Sequence, residues 1–568
     1  MEAGKAQIST VFNGSRLLEI PFYQRAYVWG EEQWERFLSD MEYVTATNRP
    51  YFLGSIILKQ TASGNTWDEI SDVRTVIDGQ QRLTTTVLFF KALCMKLGKA
   101  DLFVRDFILE TGDVALLHGK NDHKAFEAVA NRVDGEPLEE DSSNVVKAYN
   151  YFLRSIDTEK VDRGIIKKYI QFVCIDLNED EDEQQIFDTI NSLGVRLTTA
   201  ELLKNYFFNR DNIDEYASHW ESIFEANADQ RDYWDQEIVT GRIKRSLIDL
   251  FFDSFLQIIV QDRAYGVSAE DKIAYSRTGN LFQSYKDFIS RYCSRDKSSI
   301  LEKMKPYAKL FEETFKPEYC QESMPACPGI ERINVLIFGL KNSTLIPYVL
   351  YMRKNVASAI EEAKVFSTLE SYIMRRMVVH ATTKNYNRLF TSMILNEVLN
   401  SDDLRAALES DSELTTYIPD DVELKGGFEN SRLTNLQSKG ILYFLESAIR
   451  PSASSTKLLG FDQYSLEHMM PKKWRNNWGA LDADAARERD KVLLTLGNLA
   501  IITGSLNSSI RDADWKTKKT GKSSKSGLLE CSGGVVTMNG ATEKDLWNED
   551  EINARALWLA KKALEVWK

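Results

Sequence analysis

The chain has 568 residues, of which 43% are hydrophobic and 27% are charged, and its formal net charge is -13 at pH 7. This length predicts several domains, and the composition is that of a globular protein rather than a disordered or fibrous one. The negative balance argues against a uniformly basic protein that coats DNA, but it leaves room for a local basic site.

Cysteine usage and hydropathy argue against a secreted or membrane protein. The six cysteines form no Cys-x-x-Cys pair, and no histidine lies near them at metal-ligand spacing, so the pattern of a structural zinc site is absent. The sequence contains no apolar stretch of about 18 residues and no signal-peptide core at its start. We therefore expect a cytoplasmic protein with no membrane partner.

The first predicted strands lie in the N-terminal 80 residues. Residues 17–21 (LLEIP) predict a short edge strand that ends at its proline. Residues 52–58 and 73–77 are rich in apolar and β-branched side chains, and they predict two strands joined by a turn at Ser63-Gly64-Asn65.

The junction at Asp78-Gly79 separates the second of these strands from residues 83–97, whose apolar periodicity predicts a helix. Backbone N–H groups and the positive end of a helix dipole would meet here, which suits phosphate. Arg82 adds a planar cation for bidentate phosphate contacts, and Asp78 adds a carboxylate that could hold a metal or orient water. An ordinary strand-to-helix turn with a surface arginine explains the same residues equally well.

An aromatic segment precedes these strands. Tyr23, Gln24 and Arg25 combine an aromatic face with a cation, which could stack on a nucleobase. A satellite hydrophobic cluster is the alternative, and it is the preferred interpretation for Tyr27 and Trp29.

The last part of this N-terminal region predicts one strand and two helices. Residues 169–177 predict the strand, and residues 184–191 and 199–208 predict the helices. Asn191 and Gly194 would lie at the corner between the helices, where a side-chain amide and bare backbone can meet a ligand.

Three segments in this order resemble one known signature. Residues 20–29 (IPFYQRAYVW), 78–82 (DGQQR) and 187–197 (FDTINSLGVRL) look like the GmrSD-type S domain, a ParB/sulfiredoxin-like fold with a DGQQR motif. The resemblance implies a domain over residues 1–210 that binds and hydrolyses a nucleoside triphosphate and helps to sense modified DNA. By position, it implies a nucleotide site at Tyr23, Gln24, Arg25, Asp78, Gly79, Gln80, Gln81, Arg82, Asn191 and Gly194, with Asp78 and Arg82 active in hydrolysis.

The middle of the chain, residues 211–455, predicts helices almost throughout. Residues 372–376 and 383–387 resemble the helical connector of the same family, although an amphipathic helix with a solvated basic edge remains the alternative. Four isolated histidines are expected to be surface or half-buried residues rather than ligands: His118, His123, His219 and His380.

The C-terminal region carries a second set of polar motifs. Glu467-His468 is followed by Asn498 and then by Asn507. One histidine, one carboxylate and two asparagines are few ligands for zinc, but they suit Mg²⁺ or Mn²⁺, which take oxygen donors. A neutral histidine beside such a metal can take the proton from a water that attacks phosphorus.

Basic residues surround these motifs. Between residues 511 and 526 there are six basic residues against two acids, and Lys472, Lys473 and Arg475 follow the histidine. This local excess predicts contacts with a phosphate backbone, and a polar surface loop is the alternative.

The spacing Glu-His-x-x-Pro, Leu-Gly-Asn-Leu, Asn and aromatic-x-x-Lys resembles the GmrSD-type D domain, an HNH (His-Me finger, ββα-metal) nuclease, over residues 456–568. The resemblance implies His468 as general base, Glu467 and Asn507 as metal ligands, and Asn498 as the residue that orients the base or its loop. It implies phosphate contact by Lys518, and the neighbouring candidates for DNA binding are Lys472, Lys473, Lys516 and Lys519.

Together these observations predict an α+β, mostly helical chain with an N-terminal ParB-like α/β domain, a helical connector and a C-terminal ββα-metal domain. The implied function is type IV, modification-dependent cleavage of double-stranded phage DNA in defence, with Mg²⁺ or Mn²⁺ as cofactor and a nucleoside triphosphate as regulator. A ParB-like nucleotide switch that binds DNA or a partner without cutting is the alternative. The DNA modification, the nucleotide (GTP among the candidates) and the oligomeric state, including a homodimer, stay open.

Overall fold

The computed structural model describes the chain in two compact units, residues 1–217 and 218–568. Its description covers residues 2–568 except 22–23, 25, 61–69, 71, 120–121, 140–142, 179–198, 209–212, 241–242, 277–280, 411–412, 414, 452–456, 523–525 and 533.

The first unit is built on a six-stranded mixed sheet with the strand order β1-β6-β3-β4-β2-β5. The pairs β1/β6 and β3/β4 are antiparallel, and the other three pairs are parallel. The strands are β1 (Glu2–Gln7), β2 (Arg16–Glu19), β3 (Tyr51–Gln60), β4 (Asp72–Asp78), β5 (Leu116–Leu117) and β6 (Ile170–Leu177).

One helix forms the centre of this unit. Every residue of the third helix from Leu83 to Met95 is buried, as expected for a helix that is covered on all sides. The helices of the unit are α1 (Ile8–Val11), α2 (Glu31–Thr47), α3 (Gln80–Lys96), α4 (Ala100–Phe107), α5 (His123–Ala130), α6 (Asn144–Ser155), α7 (Arg163–Tyr169), α8 (Thr199–Phe207) and α9 (Ile213–Tyr216).

Most predicted elements of the first unit are present, with two differences. The strand predicted at residues 17–21 exists, but it is not an edge strand, because β2 lies between β4 and β5. The central helix begins at Gln80, three residues before its predicted start. The turn at Ser63-Gly64-Asn65 and the helix predicted at 184–191 lie outside the described residues.

The second unit is mostly helical. A short hairpin interrupts the helices, β7 (Glu237–Thr240) with β8 (Ile243–Ser246), which the sequence did not predict. The helices up to residue 450 are α10 (Ala228–Asp235), α11 (Leu247–Ile259), α12 (Ala269–Tyr275), α13 (Leu281–Tyr292), α14 (Lys297–Thr314), α15 (Ile330–Asn334), α16 (Ile346–Asn355), α17 (Ala359–Val378), α18 (Tyr386–Leu395), α19 (Ser401–Ser410), α20 (Asp421–Asn430) and α21 (Asn435–Ile449), with π-helical turns at Ala217–Glu225 and Val335–Gly339.

The C-terminal part of this unit contains a small antiparallel pair of strands that is followed directly by a helix. The strands are β9 (Tyr464–His468) and β10 (Leu499–Thr503). The helices here are α22 (Ala483–Val492), α23 (Gly504–Ile510), α24 (Trp515–Thr520), α25 (Leu528–Ser532) and α26 (Glu549–Val566).

A buried ion pair ties the end of the chain to the helical part of the second unit. Arg332 Nε and Nη2 each lie 2.6 Å from a carboxylate oxygen of Glu370 on α17. The Trp567 indole N–H also donates to Glu370, over 3.2 Å. Because both charges are buried, their bidentate contact satisfies groups that would be costly to leave unpaired. None of the described helices is long and apolar enough to cross a membrane.

Candidate functional sites

The first candidate site is the turn that joins β4 to α3. Gly79 has φ 101°, in the left-handed region, and a Cβ atom there would lie 2.6 Å from Cγ2 of Ile56. Only glycine fits both the backbone and the space. Gly79 is the only residue between the end of β4 at Asp78 and the start of α3 at Gln80, so the last carboxylate of β4 lies close to the helix N-terminus.

Arg82 and Asp78 form an ion pair at this turn. Arg82 Nη2 lies 3.4 Å from Asp78 Oδ2, and each side chain is 25% exposed. The guanidinium also lies against Gly54 of β3, where a Cβ atom would collide with it. The arginine thus pairs with Asp78 and packs against the bare backbone of Gly54. Because each side chain is partly exposed, the guanidinium is accessible to an anionic ligand and the carboxylate is accessible to water.

Two glutamines bring the aromatic segment to the same turn. Gln24 donates to the carbonyl of Val76 over 2.7 Å. Gln81 accepts from the backbone N–H of Val28 over 2.9 Å and donates to the carbonyl of Ala26 over 3.3 Å. The segments 20–29 and 78–82 therefore lie in contact. The side chains of Gln24 and Gln81 bond to backbone groups, and Gln80 is buried.

Tyr27 belongs to a buried hydrogen-bonded cluster. Its hydroxyl lies 2.6 Å from Thr85 Oγ1 and accepts from the Trp34 indole over 2.9 Å, while its backbone N–H donates to Asp122 over 2.6 Å. Burial raises the pKa of the Tyr27 phenol well above its usual value. Tyr27 belongs to the hydrophobic core and Trp29 packs against it, so the hydrophobic-cluster interpretation is confirmed for both residues. Four predicted nucleotide-site residues lie outside the described residues: Tyr23, Arg25, Asn191 and Gly194.

The second candidate site is built on β9, β10 and α23. The antiparallel register places Leu499 opposite His468 and Ala500 opposite Glu467. The Asn507 side chain on α23 donates over 3.1 Å to both the Ser465 hydroxyl and the Leu466 carbonyl, which fixes the helix against β9. Asn507 thus packs beside Ser465, two residues before Glu467 on β9.

Asn498 organises the loop after His468. Its Oδ1 accepts from the Met470 backbone N–H over 2.8 Å and from the Trp547 indole over 3.0 Å. Its Nδ2 donates to the carbonyls of Met470 and Leu493 over 2.8 and 2.9 Å. The Asn498 amide is fully buried. Since its hydrogen bonds connect Met470 of the loop to Leu493 and Trp547, Asn498 holds this loop in place.

Arg555 on α26 supports the segment that carries Asn498. Its Nη1 donates to the carbonyls of Gly497 and Leu499 over 2.7 and 2.8 Å. Neither Arg555 nor Trp547 carries any sequence signal for this role, because each lies about 50 residues or more from its partner.

Glu467 and Lys518 form a buried ion pair. The Lys518 ammonium contacts the Glu467 carboxylate and donates to the His468 carbonyl over 2.7 Å. Glu467 is 5% exposed and Lys518 is 0% exposed. Burial raises the pKa of Glu467 and lowers that of Lys518, while their contact favours both charges. The ammonium thus faces a protein carboxylate here, and its predicted contact with phosphate stays a prediction.

His468 is partly buried at the end of β9. Burial, together with the charges of Lys472 and Lys518, lowers its pKa to about 4. Its ring makes no hydrogen bond within the described part of the chain. The imidazole is therefore neutral near pH 7, which is the form that can accept a proton.

The oxygen donors near His468 fit a hard divalent cation in chemistry, but they do not form a preformed cage. No cluster of three His, Cys, Asp or Glu side chains that could hold a metal occurs in the described ranges. A carboxylate and a side-chain amide oxygen, from Glu467 and Asn507, suit Mg²⁺ or Mn²⁺, which keep several waters. The ammonium of Lys518 already compensates the charge of Glu467, so a cation there would share that carboxylate with it.

Exposed lysines flank this site. Lys472 and Lys473 lie just after the His468 loop and are exposed, as is Lys516 on α24. Lys519 is mostly covered and donates to the Lys544 carbonyl over 3.0 Å. Three of the predicted DNA-binding lysines are thus accessible to a phosphate backbone.

Two family models match the chain, and together they include both candidate sites. Residues 8–208 match the model described as GmrSD restriction endonuclease, N-terminal domain. Residues 418–562 match the model described as GmrSD restriction endonucleases, C-terminal domain. No curated protein matches the chain.

Proposed function

Since the chain belongs to the GmrSD restriction endonuclease family, we propose that it is a type IV, modification-dependent DNA endonuclease of anti-phage defence whose cleavage is regulated by a nucleoside triphosphate. The observation that carries the nuclease part is the arrangement at the end of β9, where Glu467 and His468 pair with β10 and Asn498 organises the loop that follows. The N-terminal turn at Asp78 to Arg82 is the proposed nucleotide site.

The chemistry at the second site is phosphodiester hydrolysis. His468 takes a proton from the attacking water through its imidazole, and its depressed pKa keeps it ready to do so near neutral pH. Asn498 keeps the following loop in place, so that the ring stays at the end of β9. Exposed Lys472, Lys473 and Lys516 bind the DNA backbone.

Glu467 on β9 and Asn507 on α23, which is bonded to that strand, would hold a divalent cation. When bound, Mg²⁺ or Mn²⁺ would stabilise the negative charge that develops on the phosphate during cleavage.

At the first site, Arg82 and the N-terminus of α3 bind the phosphates of the nucleotide. Arg82 offers a planar donor fork and α3 offers backbone N–H groups at its positive dipole end. Asp78, 3.4 Å from Arg82, orients water or a metal for hydrolysis. Nucleotide at this site controls cleavage by the other unit.

The experiment that tests the proposal is a cleavage matrix. Unmodified plasmid and phage DNAs with defined base or backbone modifications are incubated with the full chain, Mg²⁺ and each of the four ribonucleoside triphosphates. We expect cleavage of at least one modified DNA, none of the unmodified plasmid, and a change in rate with at least one triphosphate. Equal cleavage of modified and unmodified DNA would contradict modification dependence, and rates that no triphosphate alters would contradict nucleotide control.

A further inference from the structure

The Glu467–Lys518 pair is the most deeply buried charged contact at the nuclease site. Glu467 is 5% exposed and Lys518 is 0% exposed. A buried carboxylate is costly unless a positive charge compensates it. Lys518 provides that charge from a helix 51 residues further along the chain.

Helix α24 holds the ammonium firmly in this position. Asp514 caps the helix through a bond of 3.0 Å from the Thr517 backbone N–H. Trp515 is buried, and its indole donates to the Lys544 carbonyl over 3.0 Å. The lysine therefore projects from a helix that is fixed at its first turn.

The atoms that receive the ammonium are of the kind that a hard cation uses. They are a carboxylate oxygen of Glu467 and the backbone carbonyl oxygen of His468, the latter at 2.7 Å. Both oxygen types are common ligands of divalent cations in proteins. A divalent ion at Glu467 would thus meet a positive charge that occupies the same oxygens.

We propose that Lys518 is a resident counter-cation of Glu467, which competes with the divalent metal and lowers the metal affinity of the nuclease site. The inference deepens the proposed function, because it rests on Glu467 as a metal ligand. Lys518 then belongs to the metal site, and the exposed lysines 472, 473 and 516 supply the contacts with DNA.

The test measures binding of Mn²⁺ alone to the full chain, without DNA or nucleotide, by the paramagnetic resonance signal of the free ion. Lys518→Met removes the charge with little change in length. We expect it to bind one Mn²⁺ at least about tenfold more tightly than the parent, because the carboxylate loses its competing cation. Glu467→Gln added to Lys518→Met should abolish this tight site.

Lys519→Met is the matched control. It removes one charge from the next position of the same helix, where the ammonium donates to the Lys544 carbonyl and lies 3.8 Å from Asp545. We expect its Mn²⁺ affinity to equal that of the parent. A similar gain in Lys519→Met would show a general charge effect and would contradict the inference.

The remaining outcomes separate this inference from the function on which it rests. Equal, measurable Mn²⁺ binding by the parent and by Lys518→Met would overturn the competition while leaving the metal site in place. Absence of Mn²⁺ binding in both would contradict the metal site and the competition together.

Should Lys518→Met fail to fold, circular dichroism with added Mn²⁺ replaces the affinity measurement. Metal should then restore the folded signal in the single variant but not in Glu467→Gln/Lys518→Met. Failure of Mn²⁺ to restore the single variant would overturn the inference.

Discussion

Substitution of Arg82 tests the proposed nucleotide site most directly. Its guanidinium pairs with Asp78 and lies beside Gly54, so its loss removes a cation at the turn without disturbing the buried face of α3. A charge-assisted contact of this kind contributes about 1.5–3 kcal/mol.

Arg82→Ala should therefore weaken nucleotide binding roughly tenfold to a hundredfold, as measured by calorimetry. Phosphate release should fall in parallel. Arg36→Ala serves as the control, because this exposed arginine on α2 lies in the same unit and its loss should leave binding unchanged. If the folded Arg82→Ala protein binds nucleotide as tightly as the parent, the DGQQR segment is a structural turn and not a nucleotide site.

His118 shows how burial turns an isolated histidine into a determinant of pH stability. The sequence placed it at or near the surface, and that prediction was wrong, because the residue is 5% exposed and its ring lies 3.1 Å from Thr84 Oγ1. Burial, with a smaller contribution from His123, lowers its pKa from 6.5 to about 3. The folded state thus favours the neutral ring.

The depressed pKa predicts a loss of stability in acid. The unfolded chain takes up the proton near pH 6.5, so the contribution of His118 is complete above that pH and is lost as the pH falls towards 3. Between pH 7.0 and 5.5 the parent should lose about 1 kcal/mol more unfolding free energy than His118→Gln. Urea unfolding at both pH values measures this, with the exposed His380 changed to Gln as control. Equal losses in the parent and His118→Gln would contradict it.

At the scale of elements, long periodic segments were predictable and long-range pairings were not. Periodicity located α3, and β-branched runs located β3, β4 and β6, because such patterns depend on neighbours in sequence. The interior position of β2 depends on its pairing with β5, about 100 residues away, and no local pattern records it.

The proposed nuclease site shows the same division. The strand end with Glu467 and His468 could be found from its motif. The burial of Lys518 and the contacts of Trp547 and Arg555 could not, since they join positions 51, 49 and 56 residues apart. A basic segment predicts phosphate binding for each of its lysines. The sequence pattern does not distinguish a lysine that faces solvent from one that faces a buried carboxylate.

Trp547 connects the helices behind the site to the loop that follows His468. Its indole donates to Asn498 Oδ1 over 3.0 Å, and its ring stacks on Trp515 with centroids 5.3 Å apart. Trp547→Phe keeps most of the stacking but removes the bond. Since Asn498 fixes the His468 loop, we expect the cleavage rate at saturating DNA to fall about tenfold with little change in DNA affinity.

Trp478→Phe is the matched control for this change. Trp478 also neighbours Trp515, at 6.4 Å between centroids, but its indole donates to the Ala513 carbonyl over 3.0 Å and not to Asn498. Both variants should lose a similar, small amount of thermal stability, about 1 kcal/mol for one hydrogen bond. Equal cleavage rates for the two variants would show that Trp547 has a structural role only.

At the scale of the molecule, the two candidate sites lie in separate compact units. The Asp78–Arg82 turn belongs to residues 1–217, and His468 with its supports belongs to residues 218–568. Within the second unit, contacts such as Arg332–Glu370–Trp567 connect the helices before residue 418 to the end of the chain. Because the sites are separate, a substitution can remove DNA cleavage while nucleotide hydrolysis is still measured. The central test uses this separation.

That test is the cleavage of modified DNA by His468→Ala beside the phosphate release by the same protein. A general base contributes about 10²–10⁴-fold to rate. We therefore expect cleavage to fall by that factor, with nucleotide hydrolysis unchanged, while His380→Ala, a change at an exposed histidine of the same unit, retains both activities. Cleavage of modified DNA by folded His468→Ala at the parental rate would contradict the account.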